Sequence, residues 1–349
     1  MCPADYTFNP DLASASTIPA RWYTDPAMLP LERARIFHRT WQAVAAPGAS
    51  AASAVADAGR YLACDIAGEP VVITRARDGR LRAMSNVCRH RGALIAEGHG
   101  QAQVLRCPYH AWSYGLDGAL IGQPEFDGVA GWDRAGVCLP QFRAEIWGPF
   151  VFVNLDPAAP PLAEILGRIP EEAAALGCPI EKLRWSYRRD YVIACNWKVY
   201  IDNYLEGYHL PAAHPGLFRL LDYSRYRVET HRHYSAQIAP LRSGDGGEAL
   251  YYWVFPNFML NIYPDNLSSN LIVPLGHDQT LTIFEWFGYK GEVPQSTIDF
   301  SDEIQQEDIR ICESVQRGLA SAHYSQGRYS VARENGVHHF HGLLAEYLA

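Results

Sequence analysis

No stretch of this sequence is long and apolar enough to cross a bilayer, and no run of five like charges interrupts it. Basic residues are the minority: 30 Lys and Arg against 38 Asp and Glu leave a net charge of -8, without the basic surface that holding a polyanion requires. General nucleic-acid binding is excluded on that ground. Cysteine is sparse, eight in 349 residues, too few for a disulfide scaffold. Cys2, Cys64, Cys138, Cys178, Cys195 and Cys312 stand without metal-ligand spacing, and each reads as a small core residue or a free thiol. The opening "MCPADYTFNP" lacks a basic segment followed by an apolar one, so no secretory signal is expected. A reduced, cytoplasmic setting away from membranes is the expectation. There is no internal repeat.

What is present is an ordinary globular composition, 48% hydrophobic and 19% charged, in a chain long enough for two cores. Residues 25–42 read as a short amphipathic helix, with Ile36, Phe37 and Trp41 on its apolar side. Between 43 and 157, β-rich runs such as "PVVITRA", "QVLRCP" and "GPFVFVNL" alternate with glycine-bearing turns, which predicts a small antiparallel β domain. The Pro/Ala connector "DPAAPPL", 156–162, marks a boundary. Beyond it a helix is predicted at about 162–176 and another at about 198–210. Strands are predicted at 223–239, 250–263, 269–274 and 280–289, and a long helix at about 298–319. The division is therefore 1–42, a helical segment packing on the third part; 43–157; and 158–349, an antiparallel sheet flanked by helices. The fold class is α+β.

Two Cys–His pairs lie in the β-rich part. Cys88 and His90 have one residue between them, Cys107 and His110 have two, and sixteen residues separate the pairs. Two thiolates and two imidazoles suit either a tetrahedral zinc or a [2Fe–2S] cluster with both thiolates on one iron and both imidazoles on the other. A one-residue gap is unusual for zinc, whose paired ligands usually stand two to four residues apart. Cys-x-His followed by Cys-x-x-His resembles the Rieske signature, and the surrounding "CRHRG" and "YHAWSYG" add to the likeness.

Such a cluster moves single electrons, so a second centre is expected to receive them. The candidate lies in "NWKVYIDNYLEGYHLPAAHPGL", 196–217. Asp202, Glu206 and His209 fall at i, i+4 and i+7, one stripe of a helix. Pro211 would end that helix and swing His214 back towards His209. On the helix 298–319, Asp308 shares a stripe with Ile304, Ile311, Cys312, Val315 and Leu319, and a buried carboxylate needs a partner or a metal. His209, His214 and Asp308 would then form a 2-His-1-carboxylate triad suited to Fe(II) and O₂. Asp202 and Glu206 read as carboxylates holding the other N–H of a ligating imidazole; Asp302, Glu303 and Glu307 read as solvated charge.

Taken with "ARWYTDPAMLPLERARIFHRTWQ", "FPNFMLNIY" and "QQEDIRICESVQRGLASAHYSQGRYSVARENGVHHFHGLL", the sequence resembles the oxygenase component of Rieske non-haem iron oxygenases over almost its whole length. The resemblance is narrowest to the branch of choline monooxygenase and the carnitine and betaine oxygenases. It implies a Rieske domain with the cluster on Cys88, His90, Cys107 and His110, and a catalytic domain with mononuclear Fe(II) on His209, His214 and Asp308. It implies a homotrimer in which Glu206 links His110 of one subunit to His209 of the next, a position usually held by aspartate. It implies O₂ and a small-molecule substrate, a quaternary ammonium compound such as choline, carnitine or a betaine. Electrons would come from NAD(P)H through a separate flavin or ferredoxin-type reductase. Ala111 and Ser113 depart from the glycine and threonine common there. An ammonium would sit on aromatic faces chosen from Tyr200, Tyr204, Tyr208, Tyr252, Trp253, Phe255, Phe258, Tyr263 and Trp286. The alternatives are an aromatic-ring hydroxylating dioxygenase α subunit, and a Rieske electron-transfer or redox-sensing protein without oxygenase activity.

Overall fold

The run "PVVITRA" becomes the strand Glu69–Arg75, whose Val71 and Ile73 point to one apolar layer while Val72 points to another. This is the period-two alternation of a sheet buried on both faces. A computed structural model of the protein describes residues 6–242, 247–264, 266–288 and 292–349; Cys2 and residue 289, the last of an expected strand, lie outside the described residues. Two units are present: Phe37–Leu162, and Met1–Ile36 together with Ala163–Ala349.

In the first unit Glu69–Arg75 lies within a seven-stranded antiparallel sheet. Its order is Gln42–Val44, Phe150–Asn154, Gln141–Trp147, Leu81–Ser85, Glu69–Arg75, Arg60–Ile66 and His99–Gln101. A small three-stranded sheet, Leu105–Arg106, Ser113–Tyr114 and Leu120–Gly122, adds Leu105, Tyr114 and Leu120 to the second apolar layer. Two turns of equal size project here. The N–H of Gly92 donates to the carbonyl of Cys88 at 3.0 Å, and the N–H of Ala111 donates to that of Cys107 at 3.1 Å. The closing residues both have left-handed backbone, Gly92 at φ +78° and Ala111 at φ +58°. The unequal Cys–His spacing is thus two placements of histidine in turns that close alike.

The second unit is built on a seven-stranded antiparallel sheet ordered Arg184–Ile193, Thr280–Gly288, Asn266–Pro274, Phe258–Ile262, Glu248–Val254, Tyr234–Pro240 and Arg227–Thr230. The long helix Gln295–Leu319 and the shorter Trp197–Tyr204 meet beside it, and Tyr200 Oη donates to Gln305 Oε1 at 2.6 Å. The run expected as one strand over 223–239 is a 3-10 turn, Tyr223–Arg225, and two strands. The helix expected at 162–176 is two, Leu162–Leu166 and Ile169–Ala175, because Gly167 between them takes φ +52° against the Tyr234 ring. A final helix, Asn335–Leu348, has no counterpart in the sequence reading.

The helix expected over 25–42 stops at Arg35, and residues 42–44 instead pair with Phe150–Asn154. Before it stops, Glu32 reaches Lys198 on the helix Trp197–Tyr204. Both side chains are wholly buried; Lys198 Nζ donates to one Glu32 oxygen and Trp197 Nε1 to the other at 2.7 Å. Burial pulls the Lys198 ammonium below its ordinary pKa, against the attraction of Glu32.

Two outcomes are expected in denaturant titrations. Glu32→Ala strands a buried ammonium and should cost about 3–5 kcal/mol of stability. Ala111→Gly relieves the side-chain clash of left-handed backbone and should gain about 1 kcal/mol.

Candidate functional site: two groups of metal-ligating side chains

In the first unit Cys88 and Cys107 are buried in one apolar cluster with Trp112, and the rings of His90 and His110 have centroids 4.6 Å apart. His90 stacks flat on the buried Trp112, 4.7 Å away and tilted by 7°. Tyr114 Oη accepts the Arg89 N–H at 2.9 Å and stands 3.3 Å from Cys88 Sγ. Having accepted there, the phenol has its proton free for the sulfur. Burial raises the phenol's pKa, so it keeps that proton.

The Nδ1 atoms of His90 and His110 are buried and meet no hydrogen-bond partner among the described residues. Burial, with the facing His110 and the nearby Arg91, holds His90 below the usual imidazole pKa, hence neutral with a lone pair. Two buried imidazole nitrogens without a partner are a costly arrangement unless a metal takes their lone pairs. This donor set fits a [2Fe–2S] cluster with thiolates on one iron and imidazoles on the other.

In the second unit His209, His214 and Asp308 converge, with one donor atom from each lying within 4.8 Å of the others. His209 Nε2 is 3.1 Å from His214 Nε2, and Asp308 Oδ1 is 3.0 Å from His214 Nε2 and 3.8 Å from His209 Nε2. The outer nitrogens are held by carboxylates: His209 Nδ1 lies 2.5 Å from Glu206 Oε1, and His214 Nδ1 lies 2.6 Å from Glu307 Oε2. Burial opposes a charge on His214, yet Asp308 and Glu307 outweigh it and raise its pKa. Two nitrogens and a carboxylate oxygen on one side, with a cavity opposite, fit a divalent iron with open positions.

The route to this geometry differs from the expected one. The helix from Trp197 ends at Tyr204, not near 210, and Glu206 lies beyond its end. Glu206 Oε2 instead accepts the backbone N–H groups of Tyr208 and His209 (3.1 Å for the latter), just ahead of a new short helix, Leu210–Ala213. Gly207 permits the break: a Cβ there would sit 2.6 Å from the Tyr226 ring. Gly336, at the start of the last helix, lies so close to the Leu205 carbonyl that a Cβ would be 2.4 Å from it. Pro211 opens the short helix rather than ending one. The turn at His214 (φ -122°, ψ 69°) comes from Pro215, which disfavours helical backbone in the residue before it.

With the stripe broken, Asp202 is not behind a converging imidazole. It accepts from Tyr23 Oη at 2.5 Å and lies 3.0 Å from His341 Nε2. Glu307 is not simply solvated, since it holds His214, and Asp302 accepts from Tyr191 Oη at 2.7 Å and pairs with Arg189 at 3.1 Å. Glu303 is exposed.

A cavity of about 390 Å³ opens on His209, His214, Asp308 and Glu206. Of the aromatic residues singled out from sequence, Tyr200, Tyr204, Tyr263 and Trp286 line it. Tyr208 is exposed, while Tyr252, Trp253, Phe255 and Phe258 are buried in the core away from it. Tyr226, Tyr251, Phe284 and Phe300 also line it and were not anticipated. One wall is polar: Asn266, Ser268 and Asn270 alternate along a strand, and Asn261 Nδ2 donates to Ser268 Oγ at 3.1 Å and to Asn270 Oδ1 at 3.2 Å. The sequence signal was partial: Asn266, Ser268 and Asn270 stand at alternate positions, but Ser269 between them is polar as well.

Comparison with known proteins agrees with these two centres. Residues 47–133 match the Rieske [2Fe-2S] domain, and residues 180–349 match the ring hydroxylating alpha subunit (catalytic domain). The chain is 36% identical to a chloroplastic choline monooxygenase of Arabidopsis thaliana, over 95% of this chain and 83% of that one. It is 34% identical to the carnitine monooxygenase oxygenase subunit of Escherichia coli K12, over 99% and 96% of the two chains. The structure of a quaternary ammonium Rieske monooxygenase in complex with L-carnitine superposes with a TM-score of 0.85 at 32% identity, covering 98% and 97% of the two chains. The chain therefore belongs to the Rieske non-haem iron oxygenases, as an oxygenase component of the kind found in choline and carnitine monooxygenases.

Proposed function

We propose that this oxygenase hydroxylates a small quaternary ammonium compound. The observation that carries the reading is one cavity in which aromatic faces and hydrogen-bonding amides surround the opening of a two-histidine, one-carboxylate cluster. His209, His214 and Asp308 would hold Fe(II), and Cys88, Cys107, His90 and His110 the [2Fe–2S] cluster. When bound, these groups supply dioxygen activation and one-electron transfer, respectively.

The chain's own residues bind and orient. Tyr200, Tyr204, Tyr263 and Trp286 offer π faces to an ammonium, and their attraction is strongest where water is excluded. Burial keeps Tyr200 and Tyr204 protonated, so these phenols add no charge of their own. The carboxylate of Glu206 lines the same cavity and favours a cation. A hydroxyl on the substrate would find the amides of Asn261 and Asn270. The reaction balances as one C–H bond, O₂, NAD(P)H and a proton giving C–OH, water and NAD(P)⁺, with the reductant supplied through a separate reductase. Hydroxylation beside nitrogen gives a carbinolamine that collapses to a tertiary amine and an aldehyde; hydroxylation at a carbinol carbon gives an aldehyde hydrate.

The working unit would be a homotrimer in the cytoplasm. A solved relative is described as transferring electrons between subunits. Glu206 would make such a link: its Oε1 lies beside His209 Nδ1 and would offer a second lone pair to His110 of a neighbouring copy.

Turnover with purified reductase, choline, carnitine, γ-butyrobetaine, glycine betaine and naphthalene tests the substrate class. NAD(P)H and O₂ consumption matched by aldehyde formation is expected with one of the ammonium compounds; turnover with naphthalene alone would move the assignment to ring hydroxylation. In iron-replete protein Glu206→Gln should retain iron and cluster, checked by metal analysis and absorbance, yet lose at least 10-fold in product formation.

A further inference from the structure

The two converging histidines are not held alike. His209 is one-fifth exposed, and Glu206 behind it sits in the break between two short helices. His214 is 1% exposed and is gripped at both nitrogens by adjacent residues of one helix, Glu307 at Nδ1 and Asp308 at Nε2. Gln295–Leu319 runs for 25 residues, so both carboxylates start from a rigid backbone.

We propose that Glu307 is a positioning residue that fixes the tautomer of His214 and thereby keeps the site competent for iron; this rests on the reading that His209, His214 and Asp308 hold the metal. A neutral imidazole carries one proton, and the nitrogen that keeps it cannot ligate. With Glu307 accepting from Nδ1–H, the proton stays on the outer nitrogen and Nε2 offers its lone pair inward. Without Glu307, a buried Nδ1–H has no acceptor, which is unfavourable. The ring then favours the other tautomer, with Nε2–H donating to Asp308 at the 3.0 Å separation already present. That single proton shift withdraws two ligands, because Nε2 loses its lone pair and the Asp308 oxygen is engaged. His209 differs, since its exposure lets water replace Glu206 at Nδ1.

The test is anaerobic Fe(II) titration of iron-stripped full-length protein against a competing chelator, for wild type, Glu307→Gln, Glu307→Ala, Glu303→Gln and Asp308→Ala. Expected are about 10-fold weaker binding in Glu307→Gln and about 100-fold in Glu307→Ala, with Glu303→Gln like wild type. Thermal melting of each iron-free protein separates a lost ligand geometry from a lost fold; should Glu307→Ala fail to fold, the isosteric Glu307→Gln carries the test. Wild-type affinity in both Glu307 variants, with Asp308→Ala impaired, overturns the proposal and leaves the triad standing. Wild-type affinity in Asp308→Ala overturns the triad itself.

Discussion

Two imidazole nitrogens 3.1 Å apart, converging with a carboxylate oxygen, are the constraint on which the catalytic unit depends. Left alone, neutral histidines so close would share a proton or turn away. They stay because each outer nitrogen is tied to a carboxylate, Glu206 or Glu307, and because Asp308 approaches from a third direction. The rest of the unit can be read as support for that arrangement. Pro215 turns His214 inward, the Gly207–Tyr226 contact sets the break that exposes Glu206 to His209, and the long helix fixes the two acids. Even the N-terminal helix takes part, since Glu32 grips Lys198 two residues before Tyr200, which lines the cavity.

The same division between rigid support and reactive centre appears in the first unit. Two turns that close on left-handed residues hold Cys88 and Cys107 against an apolar layer, and a flat indole braces His90. In this unit the Nδ1 atoms of His90 and His110 are left without a hydrogen-bond partner among the described residues. A cavity lined by phenols, an indole and strand amides places cation attraction beside hydrogen-bond orientation. That pairing is what distinguishes recognition of an ammonium alcohol from simple apolar capture.

Several of these features were legible in the chain because they are local. The Cys–His pairs sit in turns whose ligands lie four residues or fewer from the turn's start. His209 and His214 are separated by one short helix, and Asp308 stood out as a carboxylate in an apolar stripe. What misled was also local. Asp202, Glu206 and His209 have helical spacing, but Gly207 against Tyr226 and Gly336 against the Leu205 carbonyl are contacts with distant residues, and these residues belong with the broken helix. Glu307 looked solvated because helical periodicity places a side chain on a face without saying what stands there; here it is His214, more than ninety positions away.

The sequence by itself determined the candidate ligand types, their grouping into two centres, the antiparallel β character of both units and the family likeness. Those follow from residue chemistry and short-range spacing, which survive without knowledge of the fold. Only the tertiary structure decided which carboxylate stands behind which imidazole, which aromatics face the cavity and which fill the core, and where the 198–210 segment breaks. Each of these turns on close approach between residues far apart in the chain. Such contacts are selected by packing as a whole rather than by any neighbouring stretch of sequence.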